Sequence, residues 1–352
     1  MESKSASTPR LIGLATSVPK FKLAQHEVLK RAPAYIPGMS REALERLMPV
    51  YENAGIDMRY SCVPPDWYEK PHGWAEKNAL FIENAVELTE RAATGAMQRA
   101  NIAKEEIDTV IAVSTTGIAT PSLDALLIER MALRRDVERL PVFGLGCAGG
   151  VTGLARAADL ARAAPGKTVL MVAVELCGLT FRRADSTKAN VIATALFGDG
   201  AAAAIIRTGD DGAAFEFAGE HSWPDSLDIM GWRVEDDGLG VVFSRDIPAL
   251  TRTEFRDVAA GFMNRHNLSF SDIDHFVCHP GGAKVLDALE EAFVLETEAL
   301  IDSRTILREY GNMSAVTVLF VLERVLEGRK TGRYFLSSLG PGFTATFLTM
   351  LA

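Results

Sequence analysis

One cysteine, one histidine and one asparagine stand where a side chain could do chemistry. Cys147 lies in Val142-Phe-Gly-Leu-Gly-Cys-Ala-Gly-Gly-Val-Thr-Gly-Leu154, a single thiol among five glycines. The run before it is strand-like, and the run after it reads as the start of a helix. A thiol at a helix start faces unpaired backbone N–H groups and the positive end of the helix dipole, which favours the thiolate. Small neighbours let a substrate come close. The same pattern fits a small residue buried in a tight strand-to-helix turn. A nucleophilic thiol needs a base or cation beside it, and the chain has six histidines. His279 stands apart because it closes a short strand-like run and opens the loop His279-Pro-Gly-Gly282. Asn312, in Glu309-Tyr-Gly-Asn-Met-Ser314, sits at another loop-to-helix junction. It can donate a hydrogen bond without titrating. Taken singly, the histidine fits a structural role and the asparagine an ordinary helix cap.

Each of the three needs a strand end or a helix start to hold it. Asp108–Ser114 and Thr168–Glu175 are apolar, β-branched runs that predict buried strands. Shorter strands are predicted at 141–146, 201–206, 275–278 and 334–337. Residues up to about 100 read as mainly helical, with helices over 40–54 and 74–100. Further helices are predicted at 123–134, 151–164, 283–293 and 313–326. Phe197-Gly-Asp-Gly200 and Leu339-Gly-Pro-Gly342 both place an apolar residue and Gly-x-Gly before a strand. One lies in each half of the chain, which suggests a duplicated α/β unit. The halves are drawn at 1–208, with the cysteine, and 209–352, with the histidine and the asparagine.

Composition narrows the function classes. The chain has 352 residues, 48% of them hydrophobic, enough for a large core. A formal charge of -9 argues against nucleic acid as the main partner but leaves room for a local basic patch that holds a phosphorylated ligand. The opening Met-Glu-Ser-Lys-Ser-Ala-Ser-Thr-Pro-Arg-Leu lacks the apolar core of a signal peptide. No apolar run reaches the roughly 18 residues of a spanning helix. Cys62, Cys147, Cys177 and Cys278 have no CxxC spacing, which argues against a zinc or disulfide framework. A cytoplasmic protein with free thiols is expected.

Five stretches occur in one order: GCAGG around Cys147, LFGDGAAAAII at 196–206, CHPGGAKVLDALE at 278–290, EYGNMSAVTVLFVLE at 309–323 and SLGPGF at 338–343. With these motifs the chain resembles, over nearly its whole length, the type III polyketide synthases. These are the chalcone-synthase-like branch of the thiolase fold, and the likeness is to the bacterial type. The resemblance implies a five-layered αβαβα core built from two related halves, and a homodimer. It implies Cys147 as an acyl-carrying nucleophile with His279 and Asn312 as its partners. Acyl-CoA and malonyl-CoA would be substrates, with no resident cofactor or metal.

The resemblance also extends to the surrounding wall. Phe197 would stand where the CoA tunnel meets the cavity. Cys177, Thr180, Thr116 and Ser314 would line that cavity, with Gly340, Pro341 and Gly342 in the C-terminal motif. Thr120 would cross the dimer interface into the partner's cavity. The second gatekeeping aromatic falls within Gly238–Phe243, where ungapped pairing gives Val241 and leaves Phe243 two positions on. Plain packing remains an equal reading for the small residues. With Cys177 and Thr180 small, Val241 suggests a cavity more open than in plant members, suited to an aliphatic acyl chain. Of the family's three basic CoA positions one is kept, Arg46, with Pro49 and Asn53 at the others. Arg59 and Lys284 are candidates to compensate.

Three other readings compete with this one. A ketoacyl-ACP synthase III-like enzyme shares the fold and the Cys-His-Asn set, but the HPGG loop and the late GPG argue against it. A papain-like peptidase also orders Cys, His and Asn, yet neither a signal peptide nor a disulfide pattern supports it. A non-catalytic homologue would not need all three residues.

Overall fold

Strands buried on both faces read as continuous apolar runs, and their alternation decides which layer each side chain enters. The computed structural model describes residues 8–244, 246–296, 298–328 and 331–352, so residues 1–7 of the opening stretch read for a signal peptide lie outside the described residues. Its strands are β1 Pro9–Ser17, β2 Phe21–Ala24, β3 Met58–Ser61, β4 Ile107–Ser114, β5 Glu138–Phe143, β6 Thr168–Leu176 and β7 Asp199–Thr208. The second half supplies β8 Ala213–Ser222, β9 Met230–Glu235, β10 Gly238–Phe243, β11 His275–Cys278, β12 Arg333–Gly340 and β13 Thr344–Leu351.

Nine of them pair in the order β11-β12-β13-β8-β1-β7-β6-β4-β5. Numbered within its own half, the N-terminal part runs third, second, fourth, fifth, first. The C-terminal part runs second, fourth, fifth, first, and among the described residues no strand takes the third place. Directions match as well. The last strand of each half, β7 or β13, is antiparallel to both neighbours, while β4–β6 and β11–β12 are parallel. Each of these last strands is entered through the Gly-x-Gly seen in the sequence.

Alternation then builds the layers. On β7, Ala201, Ala203 and Ile205 pack outward with Phe81, Leu88 and Ala92 of the helix Trp74–Ala100. Ala202, Ala204 and Ile206 pack inward with the helices Gly149–Ala163 and Thr317–Glu327. On β12, Tyr334 and Leu336 face that same central layer. Phe335 and Leu339 face outward, towards the helices Arg256–Arg265 and Ala283–Phe293. The result is helix, sheet, helix, sheet, helix, the five layers expected. Among the described residues, no helix is long and apolar enough to cross a membrane.

The first hundred residues are less helical than the sequence suggested. β1 pairs with β7 from Pro9↔Thr208 to Ser17↔Ala201 and bridges to β8 at Arg10↔Ala214. Its pattern is broken by Gly13, where a Cβ would lie 2.3 Å from the Ala96 carbonyl oxygen. Close helix–strand contact removed the side chain that would have marked the strand. The helix predicted at 313–326 begins as a tight turn, Ser314–Val316, before Thr317.

Candidate active site

Cys147 sits in a one-turn helix, Gly146–Ala148, between β5 and the central helix Gly149–Ala163. The glycines around it answer to close approaches. A Cβ on Gly146, whose φ is +48°, would lie 2.6 Å from Pro341 Cδ. One on Gly150 would lie 2.2 Å from the Ala315 carbonyl oxygen. Ala315 precedes the other central helix, so the glycines let the starts of the two central helices meet. Cys147 precedes one of them and Asn312 the other. His279 arrives from the end of β11, its N–H donating to the Ser337 carbonyl at 2.8 Å.

Cys147, His279 and Asn312 line one cavity of about 540 Å³. Its walls include Met230, Phe243, Ile247, Phe255 and Leu289. The exposed lining residues Pro49, Asn53, Lys188 and Lys284 mark its mouth. Asn312 is 1% exposed and fully oriented. Its Nδ2 donates to the Gly281 carbonyl at 3.1 Å, and its Oδ1 accepts from the Ser314 N–H at 2.8 Å. Its backbone bonds to Leu196 and Gly198, on either side of Phe197. His279 is 5% exposed, and neither ring nitrogen has a hydrogen-bond partner among the described residues.

Burial dominates the electrostatics. It pushes the half-buried Cys147 thiol up to about 12, against hydrogen bonds with Ser314 and Asn312 that favour the thiolate. Burial alone pushes His279 down to about 3. A lone charge on either group is therefore costly. A proton passed from one to the other creates both charges together, and each then stabilises the other.

Two residues that the sequence reading passed over belong here. Glu175, at the end of β6, is fully buried and pushed up to about 7 by that burial. It accepts from Thr116 Oγ1 at 2.8 Å, the Thr115 N–H at 3.0 Å and Ser314 Oγ at 3.3 Å. A lone carboxylate closing the run Thr-Val-Leu-Met-Val-Ala-Val-Glu was the available signal. Ser338 lines the cavity, and its buried hydroxyl has no partner among the described residues. Two serines inside the apolar strand β12 hinted at it.

Aromatic rings meet where the resemblance implied a gate. Phe197 stacks on Phe243, with ring centroids 5.8 Å apart, and meets Trp232 at 5.9 Å. Val241, two residues along the same strand, faces a different recess with Cys177 and Thr180. That recess is only about 40 Å³. The open inner cavity expected from three small side chains is not found, because Tyr35, Tyr68 and Phe181 pack together in its wall.

The remaining sequence candidates divide. Thr116 is buried and bonded to Glu175, with Ser314 on the opposite oxygen. Gly340 lies behind the cysteine turn, where a Cβ would be 2.6 Å from the Leu145 carbonyl oxygen. Pro341 abuts Gly146, and Gly342 turns the chain into β13 with φ +71°. Thr120 is exposed, next to the cis-peptide-linked Pro121. Arg46 is exposed and pairs with Glu42, away from the cavity lining. Lys284 stands at the mouth. Arg59 must be removed from the CoA candidates. It is 2% exposed, and its guanidinium donates to the carbonyls of Thr194 at 2.6 Å and Phe197 at 2.9 Å and to Gln25 at 3.0 Å. Its charge is spent on main-chain carbonyls beside the gate. Among the described residues, no group of three or more His, Cys, Asp and Glu side chains could hold a metal ion.

Comparison with known proteins gives this arrangement its context. Residues 69–210 match the chalcone and stilbene synthase N-terminal domain, and residues 215–350 match the C-terminal domain. The chain is 38% identical to the 1,3,6,8-tetrahydroxynaphthalene synthase of Streptomyces peucetius subsp. caesius, covering 95% of this chain and 91% of that protein. The crystal structure of 1,3,6,8-tetrahydroxynaphthalene synthase from Streptomyces coelicolor A3(2) superposes with a TM-score of 0.92 at 28% identity, over 97% of this chain and 99% of that one. That of PKS-I from the brown alga Ectocarpus siliculosus gives 0.91 at 28% identity, over 98% of both chains.

Proposed function

The chain belongs to the chalcone and stilbene synthase family and is a type III polyketide synthase, and on that premise we propose that Cys147 is its acyl-carrying nucleophile, with His279 and Asn312 as its partners. The observation that carries this reading is the convergence of the thiol, an unpartnered buried imidazole and an oriented amide on one cavity.

The chemistry follows from those groups. His279 takes the Cys147 proton, and the thiolate attacks the carbonyl of an acyl-CoA. The C–S bond to CoA breaks, and CoA leaves as a thiol carrying the proton from His279. Malonyl-CoA then loses CO2, and the electron pair of the broken C–C bond moves onto the thioester oxygen as an enolate. His279 and the Nδ2 hydrogen of Asn312 that does not go to Gly281 donate to that oxygen, and stabilisation of developing negative charge of this kind is often the largest catalytic contribution. The enolate carbon attacks the Cys147 thioester, the cysteine leaves, and the chain remains on CoA two carbons longer. Repetition and ring closure would give a pyrone, a resorcinol or a related ring. CoA thioesters are the only carriers this scheme needs.

A narrow recess and an aromatic gate favour a compact starter over the long aliphatic chain that the sequence suggested. With isotopically labelled malonyl-CoA and a panel of short, aromatic and long acyl-CoA starters, mass spectrometry should find labelled cyclic products built mainly on the smaller starters. Products formed only with long chains would overturn the compact-starter reading, and no labelled product with any starter would count against the reaction scheme.

A homodimer is proposed through the edge strand β5. Phe143 is 61% exposed and Ile118 48%, beside a shallow depression they share with Ala119, Leu123 and Val142. Thr120 stands in the same loop and would reach the partner's cavity. Light scattering should give twice the chain mass, and Phe143→Glu should shift it to the monomer. A monomeric wild type at micromolar concentration would refute the dimer. The four free cysteines suit a reducing compartment, and the cytoplasm is the proposed location, which fractionation of the native cells checks.

A further inference from the structure

A row of polar side chains crosses the C-terminal sheet on the face that packs against the central helix Gly149–Ala163. It starts at His279, which continues β11 past Cys278. Cys278 pairs with Ser337 of β12 and touches its Oγ at 3.3 Å on the outer face. The next residue of each strand, His279 and Ser338, therefore faces inward. Ser338 pairs directly with Thr346 of β13, and Thr346 with Glu220 of β8, and residues so paired share a face. Leu336 and Leu348, two residues along from Ser338 and Thr346, mark that face as the central one. The row thus reads His279, Ser338, Thr346, Glu220.

This row joins two cavities. His279 and Ser338 line the catalytic one. Thr346 and Glu220 line a second, of about 320 Å³, between β8, β13 and the central helix. It reaches solvent at exposed Glu220, whose Oε1 accepts from Arg156 at 2.9 Å and from Thr152 at 3.4 Å. The inner three members of the row share a peculiarity. Both ring nitrogens of His279, Ser338 Oγ and Thr346 Oγ1 are buried without a hydrogen-bond partner among the described residues. Ser338 is 3% exposed and Thr346 1%. An unpaired buried hydroxyl costs stability, and valine would fill the place of Thr346 without that cost. Directly paired side chains stand about 5 Å apart at their Cβ atoms, a spacing that one water molecule bridges.

The reaction leaves a proton deficit at the inner end of this row. Loading passes the Cys147 proton to the departing CoA by way of His279. Malonyl-CoA then sheds its carboxylate as CO2, and the electron pair ends on Cys147 as the cysteine leaves. Acyl thioester, malonyl-CoA anion and one proton give the extended thioester, CO2 and CoA thiol, so each extension draws one proton from solvent. When it is needed, the lengthened chain on CoA still fills the catalytic cavity and its mouth. We infer that Ser338 and Thr346, with bridging water, relay this proton from the second cavity to His279, by a route the substrate does not fill. Each hydroxyl takes a proton on one side as it releases its own on the other, so neither holds a charge. His279 passes the proton to the Cys147 thiolate, and the resting site is restored. The relay rests on the polyketide synthase reading, which sets the proton count.

The test uses Thr346→Val, which keeps the shape and removes the hydroxyl, and Thr346→Ser, which keeps the hydroxyl. Acyl-loaded enzyme is mixed rapidly with labelled malonyl-CoA in weakly buffered solution with a pH indicator. CO2 release and proton uptake are followed before the CO2 hydrates. In the wild type, one proton should be taken up for each CO2, at the same rate. In Thr346→Val the first CO2 should be released at the wild-type rate, while proton uptake and every later extension slow about tenfold. That is less than the roughly hundredfold loss of a removed general acid, because the mouth offers a slower route. Ser338→Ala should delay uptake in the same way, and Thr346→Ser should restore it. The melting temperature of Thr346→Val should stay level or rise, since an unpaired buried hydroxyl is lost. CO2 release and proton uptake slowed together would mark a structural role and overturn the relay. Uptake that keeps pace with CO2 release in Thr346→Val would overturn the relay and leave the reaction scheme standing. A wild type that releases no CO2 from malonyl-CoA would overturn the scheme itself, and the relay with it.

Discussion

An Asn312→Ala enzyme should still take an acyl group onto Cys147 but lose malonyl-CoA decarboxylation by about a hundredfold or more, the usual cost of removing one donor to a developing oxyanion. Loading and decarboxylation make different demands on this residue. Loading needs a thiolate and a base, and an amide is no base. Decarboxylation places new negative charge on a thioester oxygen, and that charge exists fully only after the C–C bond has broken. The geometry equips Asn312 for the second task. Its Oδ1 is held by the Ser314 N–H at 2.8 Å, which fixes the amide so that Nδ2 faces the loop carrying Gly281. One Nδ2 hydrogen goes to the Gly281 carbonyl, and the other turns to the Cys147 thiol, where a substrate oxygen would compete for it. Intact-protein mass spectrometry after incubation with acyl-CoA reads loading, and release of labelled CO2 reads decarboxylation. The separate loading measurement guards against a variant that simply misfolds. If both activities fall together, Asn312 acts by holding the Phe197 and Gly281 segments in place, and the donor role is wrong.

Strand-terminal residues were the most legible part of this protein. His279 and Cys147 could be placed from sequence because each follows an apolar run and precedes glycines, and such punctuation survives folding. The duplication was visible for the same reason. Phe197-Gly-Asp-Gly200 and Leu339-Gly-Pro-Gly342 enter equivalent strands, β7 and β13, so the same turn recurs in the same place. β1 was missed because Gly13, forced by the approach of Ala96, interrupts its pattern. The gate was half legible. Val241 and Phe243 lie on one face of β10 and differ only in which cavity they reach. Charge was the least legible feature. Arg59 looked available for a phosphate, yet it is enclosed by carbonyls that lie far away in sequence. Lys188, in no motif at all, reaches the cavity mouth.

Replacing His279 should move the pH profile of Cys147 alkylation from below that of a free thiol to above it. Iodoacetamide reacts with the thiolate, so its rate reports the ionised fraction. Burial and, beyond it, the charge of Glu175 raise that thiol, hydrogen bonds from Ser314 and Asn312 with the helix start lower it, and the balance stands at about 12. Those neutral donors do not overcome burial by themselves. The remaining influence is the imidazolium, which exists at neutral pH only when the thiolate is beside it, since burial alone pushes His279 down to about 3. The sign follows from this coupling. In the wild type a thiolate–imidazolium pair should keep labelling fast below about pH 8.5, where a free thiol is mostly protonated. It is lost only when acid protonates the thiolate. Without the imidazole, burial governs, and labelling should become appreciable only above about pH 8.5. His279→Gln is the sharper variant, because it retains volume and burial while removing the charge. His279→Ala could admit water and partly relieve the burial, so its profile should fall between the two. Condensation should be lost in both variants, through the missing base and the missing donor to the enolate. If the wild type and the Gln variant label with the same inflection, no proton passes between these residues in the resting enzyme. His279 would then act only as a donor to the substrate oxygen.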